Sequence, residues 1–308
     1  MRILITGGAG FIGSHVTDAA LAAGHEVGII DNFWSHGGGR RPNVNSGAQL
    51  FELDIRDEAI ADVFLQFKPE VIVHNAAQHS VAASTRDPQY DADVNVRGFI
   101  NILEQAAKSG ARKVVFASSC ATYGTPQYLP LDEQHVQLPE SPYGISKMVG
   151  EHYLRYFAAE RGLRFTSLRY GNVYGPRQDP NGEAGVIAIF SSRMLRHEPI
   201  RIDWDGEQRK DYVYVGDVAR ANLLALDRAD GEALNIGSGI DTSVNALHQT
   251  IAAAVGHDVE VVRAPKRAGD IRECAYSIEK AKSTLRWTPQ VALTDGIAKT
   301  IEFFRSQM

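Results

Sequence analysis

The sequence predicts an α/β fold, a doubly wound parallel sheet joined to a smaller C-terminal α/β lobe. Three observations predict it. Short apolar runs alternate with helical patterns through the first half of the chain, the order that builds a parallel sheet covered by helices on both faces. Glycines cluster directly after the first apolar run, where a strand passes into a helix. Beyond residue 171 the alternation becomes irregular, and Pro, Gly and charge concentrate in 171–185 and 262–277.

Taken in order, Arg2 to Thr6 reads as a buried strand and Phe11 to Ala23 as a helix. Glu26 to Asp31, Gln49 to Leu53, Val71 to Asn75 and Lys113 to Ser118 are apolar runs of strand length. Amphipathic stretches lie at Glu58 to Phe67 and Asp91 to Ser109. Tyr143 to Arg161 predicts a long helix, and Arg164 to Tyr170 the strand after it. Further helices are expected near 186–196, 217–228, 243–255, 277–286 and 293–306, with strands near 200, 213 and 234. Loop 32–47 is expected to be mobile. The division expected is 1–170 as the sheet domain, with about 205–240 interleaved into it, and 171–308 mainly as the second lobe. No internal repeat occurs.

The 308 residues are 44% hydrophobic and 22% charged, enough to bury a large core, which excludes disorder as the main state. Lys and Arg number 32 against 37 Asp and Glu, a net charge of −5. Nucleic acid is therefore not expected as a partner, since a basic face would be its footprint. No apolar run approaches the roughly 20 residues of a membrane span. The first residues enter a strand pattern at once and leave no room for a signal peptide. The two cysteines, Cys120 and Cys274, follow no metal-ligand pattern, and the ten histidines form no H-E-x-x-H motif. No metal is expected, and the compartment expected is soluble, reducing and cytoplasmic.

GGAGFIG places Gly7, Gly10 and Gly13 between the first strand and its helix. Absent Cβ atoms permit a tight turn and bring backbone N–H groups to a pyrophosphate, which the positive end of the helix then faces. Asp31 ends the next strand 18 residues beyond Gly13, where a carboxylate suits ribose hydroxyls and repels a 2′-phosphate. A Rossmann-type NAD site is the expectation. Arg40 and Arg41 in the following loop keep NADP open as the alternative. Asp54 and Ile55, after the third strand, are placed to cap the adenine, or Asp57 nearby caps a helix.

Tyr143 and Lys147 stand four apart on the long helix, hence on one face. A phenol starts near pKa 10. One cation at about 4 Å is worth roughly 4 kcal/mol at an effective dielectric near 20, or about 3 pKa units. Lys147, helped by a positive nicotinamide, is thus expected to bring Tyr143 into the range of a working base. Ser118-Ser119-Cys120 follows the strand at 113–118, whose C-terminal end lines the ligand crevice. Ser119 is the hydroxyl expected to bond the reacting substrate oxygen, with Ser118 as the alternative. Cys120 reads as packed rather than nucleophilic, for want of an activating histidine.

Together these residues resemble the extended short-chain dehydrogenase/reductases, and within them the NAD-dependent epimerase/dehydratase family, nearest its UDP-glucose 4-epimerases. The resemblance spans GGAGFIGSH at 7–15, HNAAQHSV at 74–81, SSCATYG at 118–124, SPYGISK at 141–147, LRYGNVYGPRQDPNGEAG at 168–185, DGEQRKDYVYVGDV at 205–218, NIGSG at 235–239 and RAGD at 267–270. It implies that Tyr143 is the base, that Lys147 holds the nicotinamide ribose and that Ser119 completes the site. For NAD it implies Gly7, Gly10, Phe11, Ile12, Gly13, Asp31, Asn32, Asp54, Ile55, Ala76, Ala77, Asn95, Lys147 and Tyr170. For a UDP-sugar it implies Asn172, Arg267 and Asp270, with His79, Ser119 and Tyr143 near the sugar. The family's phosphate-binding arginine falls on Lys210, with Arg209 one position earlier, so either cation is a candidate. Lys lacks the bidentate fork of Arg.

Departures from relatives sort the reaction. Sugar-nucleotide 4,6-dehydratases of the superfamily carry Thr-Asp-Glu where this chain has Ser119-Cys120-Ala121. UDP-glucuronate 4-epimerases usually carry Thr at Asn172 and Arg at Asp179, and Asp179 would repel a sugar carboxylate. Both departures favour a neutral hexose. Cys274 falls where the family controls room at sugar carbon 2, and its small side chain admits N-acetylhexosamines. The implied function is 4-epimerisation of a UDP-hexose through a transient 4-keto sugar, with Gly171 giving room for the sugar to turn. Alternatives are another nucleotide-sugar enzyme of the superfamily (UDP-glucuronate 4-epimerase, reductase, dehydratase or decarboxylase) and, more remotely, a non-catalytic NAD(H)-binding protein. Val96, Phe99, Leu103, Val149, Tyr153 and Phe157 most simply face the core. Family members pair the helices that bear them into a four-helix interface, so a homodimer is expected.

Overall fold

The computed structural model describes residues 1–34, 37–181, 185–266 and 271–308. Seven parallel strands form the main sheet: β1 (Arg2–Thr6), β2 (Glu26–Asp31), β3 (Gln49–Glu52), β4 (Val71–His74), β5 (Lys113–Ser119), β6 (Arg164–Tyr170) and β10 (Glu232–Ile236). Their order is β10-β6-β5-β4-β1-β2-β3. The order reverses between β1 and β4, so the chain leaves those two strands in opposite directions and opens a crevice at their C-terminal ends.

One face of the sheet packs against α1 (Phe11–Ala22) and α8 (Val215–Ala225) through Ile3, Ile5, Val16, Val73, Leu168, Val218 and Trp287. The other packs against α2 (Ile60–Phe67), α5 (Phe99–Ser109) and α6 (Pro142–Arg161) through Leu4, Phe64, Ile72, Phe99, Ile102, Phe116 and Leu154. The inner strands β1, β4 and most of β5, buried on both faces, are nearly continuous apolar runs, while β3 at one edge is half-buried.

The stretch Asp91 to Ser109 is helical throughout, but its winding is not uniform. It divides into α4 (Pro88–Ala92), a π-helical turn at Asp93–Gly98 and α5, preceded by α3 (Val81–Arg86). Asp87 and Pro88 start a helix of their own, the Asp87 carboxylate accepting from the Tyr90 N–H. The wide turn then lets Gly98 pass Ile55, where a Cβ would lie 2.8 Å from its Cδ1. The helix expected near 277–286 is likewise a five-residue π turn, Ala281–Leu285.

The remaining elements are β7 (Asn172–Tyr174), α7 (Val186–Leu195), β8 (Ile200–Asp203), β9 (Arg209–Tyr214), β11 (Asp241–Ser243), α9 (Val244–Val255), β12 (Val261–Ala264) and α10 (Leu293–Ser306). They form a three-stranded sheet, β11-β9-β7, and a parallel pair, β12-β8. Their own core joins Ile187, Phe190, Tyr212, Leu247, Ile251 and Ile297. The described part of loop 32–47 is fastened rather than loose: the Arg40 N–H and the Asn43 amide both donate to the Ala9 carbonyl. Phe99, Leu103 and Phe157 are buried, while Val96, Val149 and Tyr153 are half-buried.

Candidate active site

A crevice of about 930 Å³ opens at the switch point. Its floor is the turn after β1. Gly7 has φ +67°, and a Cβ there would lie 2.7 Å from the Ala76 nitrogen. A Cβ on Gly13 would lie 2.1 Å from the Gly7 carbonyl oxygen. Only glycine permits this close passage of β1, β4 and α1. No side chain caps α1, so its first N–H groups and its positive end are left for a ligand.

Phe11, Ile12, Asp31, Asn32, Asp54, Ile55, Ala76, Ala77, His79, Tyr143, Lys147 and Tyr170 join Gly7, Gly10 and Gly13 in the crevice wall. Asp31 accepts the Ala9 and Phe33 N–H groups at 3.0 Å each, and its burial raises its pKa. Asp54 bonds Arg56 and Asn32, and its pKa falls to about 2, chiefly through the Arg56 guanidinium. Tyr170 bonds Asn222 within the sheet core.

These features fit a dinucleotide. Asn75, which the sequence reading passed over, supplies a further one: both polar atoms of its buried amide lack a partner, and it lines the crevice. Its place at the end of β4 was the signal available. Both arginines weighed for a 2′-phosphate are engaged elsewhere. Arg41 pairs with Glu52 at 2.7 Å, and Arg40 pairs with Asp179. The donor set therefore suits NAD.

Tyr143 and Lys147 project from α6 toward β5. Lys147 is 3% exposed and donates to the Ala117 carbonyl at 2.9 Å. Its nitrogen lies 5.0 Å from the centre of the Phe116 ring and 5.8 Å from that of Tyr143. Ser119 hydrogen-bonds Tyr143. Ser118 instead turns to Glu151, at 2.7 Å. Glu151 is itself paired with Arg169 at 2.6 Å in the sheet core.

The expected lowering of Tyr143 includes the charge of a nicotinamide, and the protein's own groups do not supply it. Burial pushes its phenol up to about 12, against the Ser119 hydrogen bond. Burial pulls Lys147 down to about 8, against the Asp91 carboxylate. The protein alone thus leaves Tyr143 protonated at neutral pH. Cys120 is buried with its thiol pKa raised well above the ordinary range, as its packed reading requires.

Several expected contacts fall elsewhere. Asn95 does not reach the crevice: its amide bonds the Gln78 backbone, Asp91 and Ser146. Asp179 lines the crevice and is paired there with Arg40. Arg209 makes a two-pronged pair with Asp241 on β11. Cys274 is buried with Cys120, Tyr123, Leu131 and Tyr276, and its thiol bonds the Tyr276 hydroxyl at 3.0 Å. The space left by Gly171 is filled: a Cβ there would lie 3.0 Å from the Tyr276 ring. Asn172 is exposed and donates to the Asp211 carbonyl. Burial raises the Cys274 thiol pKa, against the Tyr276 hydrogen bond and the nearby charge of Lys210. Arg267 and Asp270 lie outside the described residues.

Comparison with known proteins agrees with this geometry along the whole chain. The UDP-glucose 4-epimerase of Mycolicibacterium smegmatis is 44% identical over 314 residues, covering 100% of this chain and 99% of the relative. A UDP-glucose 4-epimerase from Thermotoga maritima, solved with UDP-glucose, superposes with a TM-score of 0.97 at 47% identity, covering 100% of this chain and 99% of that one. The Thermus thermophilus UDP-glucose 4-epimerase in complex with NAD gives 0.94 at 42%, covering 100% of both. The family model for the NAD dependent epimerase/dehydratase family matches residues 3–237, the span that holds the glycine turn, Asp31, Ser119, Tyr143 and Lys147. The chain belongs to that family.

Proposed function

We propose that this protein interconverts UDP-glucose and UDP-galactose by NAD-dependent epimerisation at carbon 4 of the sugar. The observation that carries the reading is Tyr143, hydrogen-bonded to Ser119, beside Lys147 at the wall of a crevice suited to a dinucleotide. The full-length likeness to UDP-glucose 4-epimerases supports the reaction and the substrate.

The chemistry NAD supplies when bound is reversible hydride acceptance at carbon 4 of the hexose. Gly7, Gly10 and Gly13 hold its diphosphate against the first turn of α1, and Asp31 takes ribose hydroxyls. Lys147 takes the second ribose and, fixed by the Ala117 carbonyl, keeps a positive charge beside Tyr143. Tyr143 removes the proton of the sugar 4-hydroxyl and later returns it, with Ser119 bonded to the same oxygen. Lys210, beside Cys274, and Arg209, which pairs with Asp241, are the two cations offered to the UDP diphosphate. Asn172, Arg267 and Asp270 complete the nucleotide site in this reading. The buried Cys274 leaves preference at sugar carbon 2 to residues nearer the crevice, His79 among them.

The same reading divides the chain into a cofactor domain at 1–170, joined by β9, α8 and β10, and a substrate lobe formed mainly by 171–308. It includes a homodimer and a cytoplasmic location. Two unpaired cysteines suit a reducing compartment, and no helix among the described residues is long and apolar enough to cross a membrane.

The test is proton NMR of UDP-glucose incubated with purified protein and no added cofactor. UDP-galactose is expected to appear, because a cycle without net redox change lets NAD stay bound. No conversion with or without added NAD, of either UDP-glucose or UDP-N-acetylglucosamine, would reject the reading.

A further inference from the structure

Two aromatic side chains at the crevice have no part in the reaction as described. Trp34 follows β2, and Tyr90 stands in α4, beyond β4. Both line the crevice, and their ring centres lie 5.2 Å apart with the planes at 45°. Trp34 is 40% exposed, so its ring stands at the crevice mouth rather than in a core. Its backbone is fixed all the same. The Trp34 N–H donates to Asn32 Oδ1 at 3.1 Å, and the Trp34 carbonyl accepts the Gly37 N–H at 2.8 Å. Tyr90 is fixed by its own N–H, which donates to the Asp87 carboxylate at 2.9 Å.

The two rings close a circuit of side chains. From Trp34 it passes to Asn32, whose Nδ2 donates to Asp54 Oδ2 at 2.8 Å. Asp54 accepts from Arg56 through both oxygens, at 2.8 Å each. The Arg56 guanidinium, which also donates to Asp93 at 2.7 Å, lies 5.5 Å from the centre of the Tyr90 ring. Tyr90 then returns to Trp34. The circuit joins the chain leaving β2 and the chain leaving β3 to α4, on opposite sides of the switch point. Three of its links are hydrogen bonds. The meeting of Trp34 and Tyr90 is a contact of two rings, and it can part without breaking any of them.

The circuit borders the end of the crevice lined by Leu53, Asp54 and Ile55, beyond β2 and β3. Tyr143, Lys147 and Ser119 lie at the other end, toward β5. A dinucleotide with its nicotinamide beside Tyr143 brings its adenine to the circuit. Purine faces pack favourably on aromatic rings. At 5.2 Å the two rings already touch, so a base packs against the pair and not between them. We propose that Trp34 and Tyr90 are cofactor-binding residues for the adenine half of NAD: their contact completes the circuit at that end of the crevice, and NAD leaves when the contact parts.

The proposal rests on NAD as the bound dinucleotide and needs no turnover for its tests. In the first, holoenzyme loaded with NADH is mixed with excess NAD, and release is followed by the loss of nicotinamide fluorescence. Trp34→Ala is expected to speed release about tenfold, and Tyr90→Ala by a similar factor. Trp34→Phe keeps a ring and is expected to stay within about twofold of wild type. The double alanine variant is expected to release NADH little faster than either single one, because the two rings share one contact. Unchanged release in Trp34→Ala overturns the proposal, and so do fully additive effects. If Tyr90→Ala does not fold, the comparison of Trp34→Ala with Trp34→Phe decides, and equally fast release from both overturns the proposal.

The second test separates the two halves of the cofactor. Calorimetry on protein stripped of cofactor measures ADP-ribose, which carries the adenine, and reduced nicotinamide mononucleotide, which does not. Trp34→Ala is expected to weaken ADP-ribose about tenfold and to leave the mononucleotide as in wild type. Equal weakening of both would mean that the substitution disturbs the whole crevice, and it overturns the proposal. ADP-ribose bound equally well by Trp34→Ala and wild type overturns the proposal alone. Wild type that binds neither NADH nor ADP-ribose would fail the NAD reading and take the proposal with it.

Discussion

Tyr143 shows what one residue's surroundings demand of its cofactor. With a pKa near 12 it is about one part in 10⁵ ionised at pH 7, by the definition of a pKa. A positive nicotinamide at about 4 Å and an effective dielectric near 20 offers roughly 4 kcal/mol, or about 3 units. That would bring the phenol to about 9, before any change in Lys147. We therefore expect Tyr143 to titrate above pH 11 without NAD and at least two units lower with it. Ultraviolet difference titration of wild type against Tyr143→Phe reads the ionisation directly. Equal values with and without NAD would remove the cofactor's charge from the explanation. Tyr143→Phe is expected to lose nearly all turnover while still binding NAD. This pair was legible in the sequence because a helix sets its spacing. The surroundings of Asp91 were not, because Gln78 and Asn95 meet it only once the chain has folded.

At the scale of elements, two segments clasp across the crevice. Arg40, beyond β2, pairs with Asp179, beyond β7. His15 on α1 bonds the Pro176 carbonyl at 3.0 Å, and Arg177 pairs with Asp18 at 2.7 Å. All these links join α1 or its neighbouring loop to residues 176–179. The Arg40 and Asp179 side chains are 53% and 29% exposed, and such pairs are worth about 0–1 kcal/mol. Arg40→Ala is therefore expected to speed release of bound NAD by no more than about fivefold, with Asp179→Ala the same. The double variant should do little more than either alone, because partners share one interaction. Stopped-flow release of NAD checks this, and fully additive effects would mean that the two residues act separately. The sequence showed where most helices and strands lie, because burial on one or two faces imposes a period. It did not show the clasp, since Arg40 and Asp179 lie 139 positions apart. Nor did it show the π turn at Asp93–Gly98, which depends on Gly98 passing Ile55.

For the whole molecule, α6 has two tasks on opposite faces. Its inner face carries Lys147, which reaches the Ala117 carbonyl, and Leu154 and Phe157 in the core. Its outer face leaves Ile145 47% and Tyr156 53% exposed, with the half-buried Val149 and Tyr153 between them. Steps of three and four residues align these positions in one stripe. A stripe of this kind on a long helix suits a second copy of itself related by a twofold axis, which supports the proposed homodimer. Placing a charge at its exposed C-terminal end should divide the pair: Tyr156→Glu is expected to yield a monomer by light scattering at micromolar concentration, where wild type is expected to be a dimer. Tyr143, Lys147 and Ser119 all come from one chain and bond within it. The monomer is therefore expected to keep turnover within about threefold of wild type, while its thermal midpoint falls with the loss of a bound partner. A wild type that is already monomeric would end the dimer reading. A monomeric variant that folds but loses turnover would mean that α6 needs the partner to hold Lys147 and Tyr143 in register.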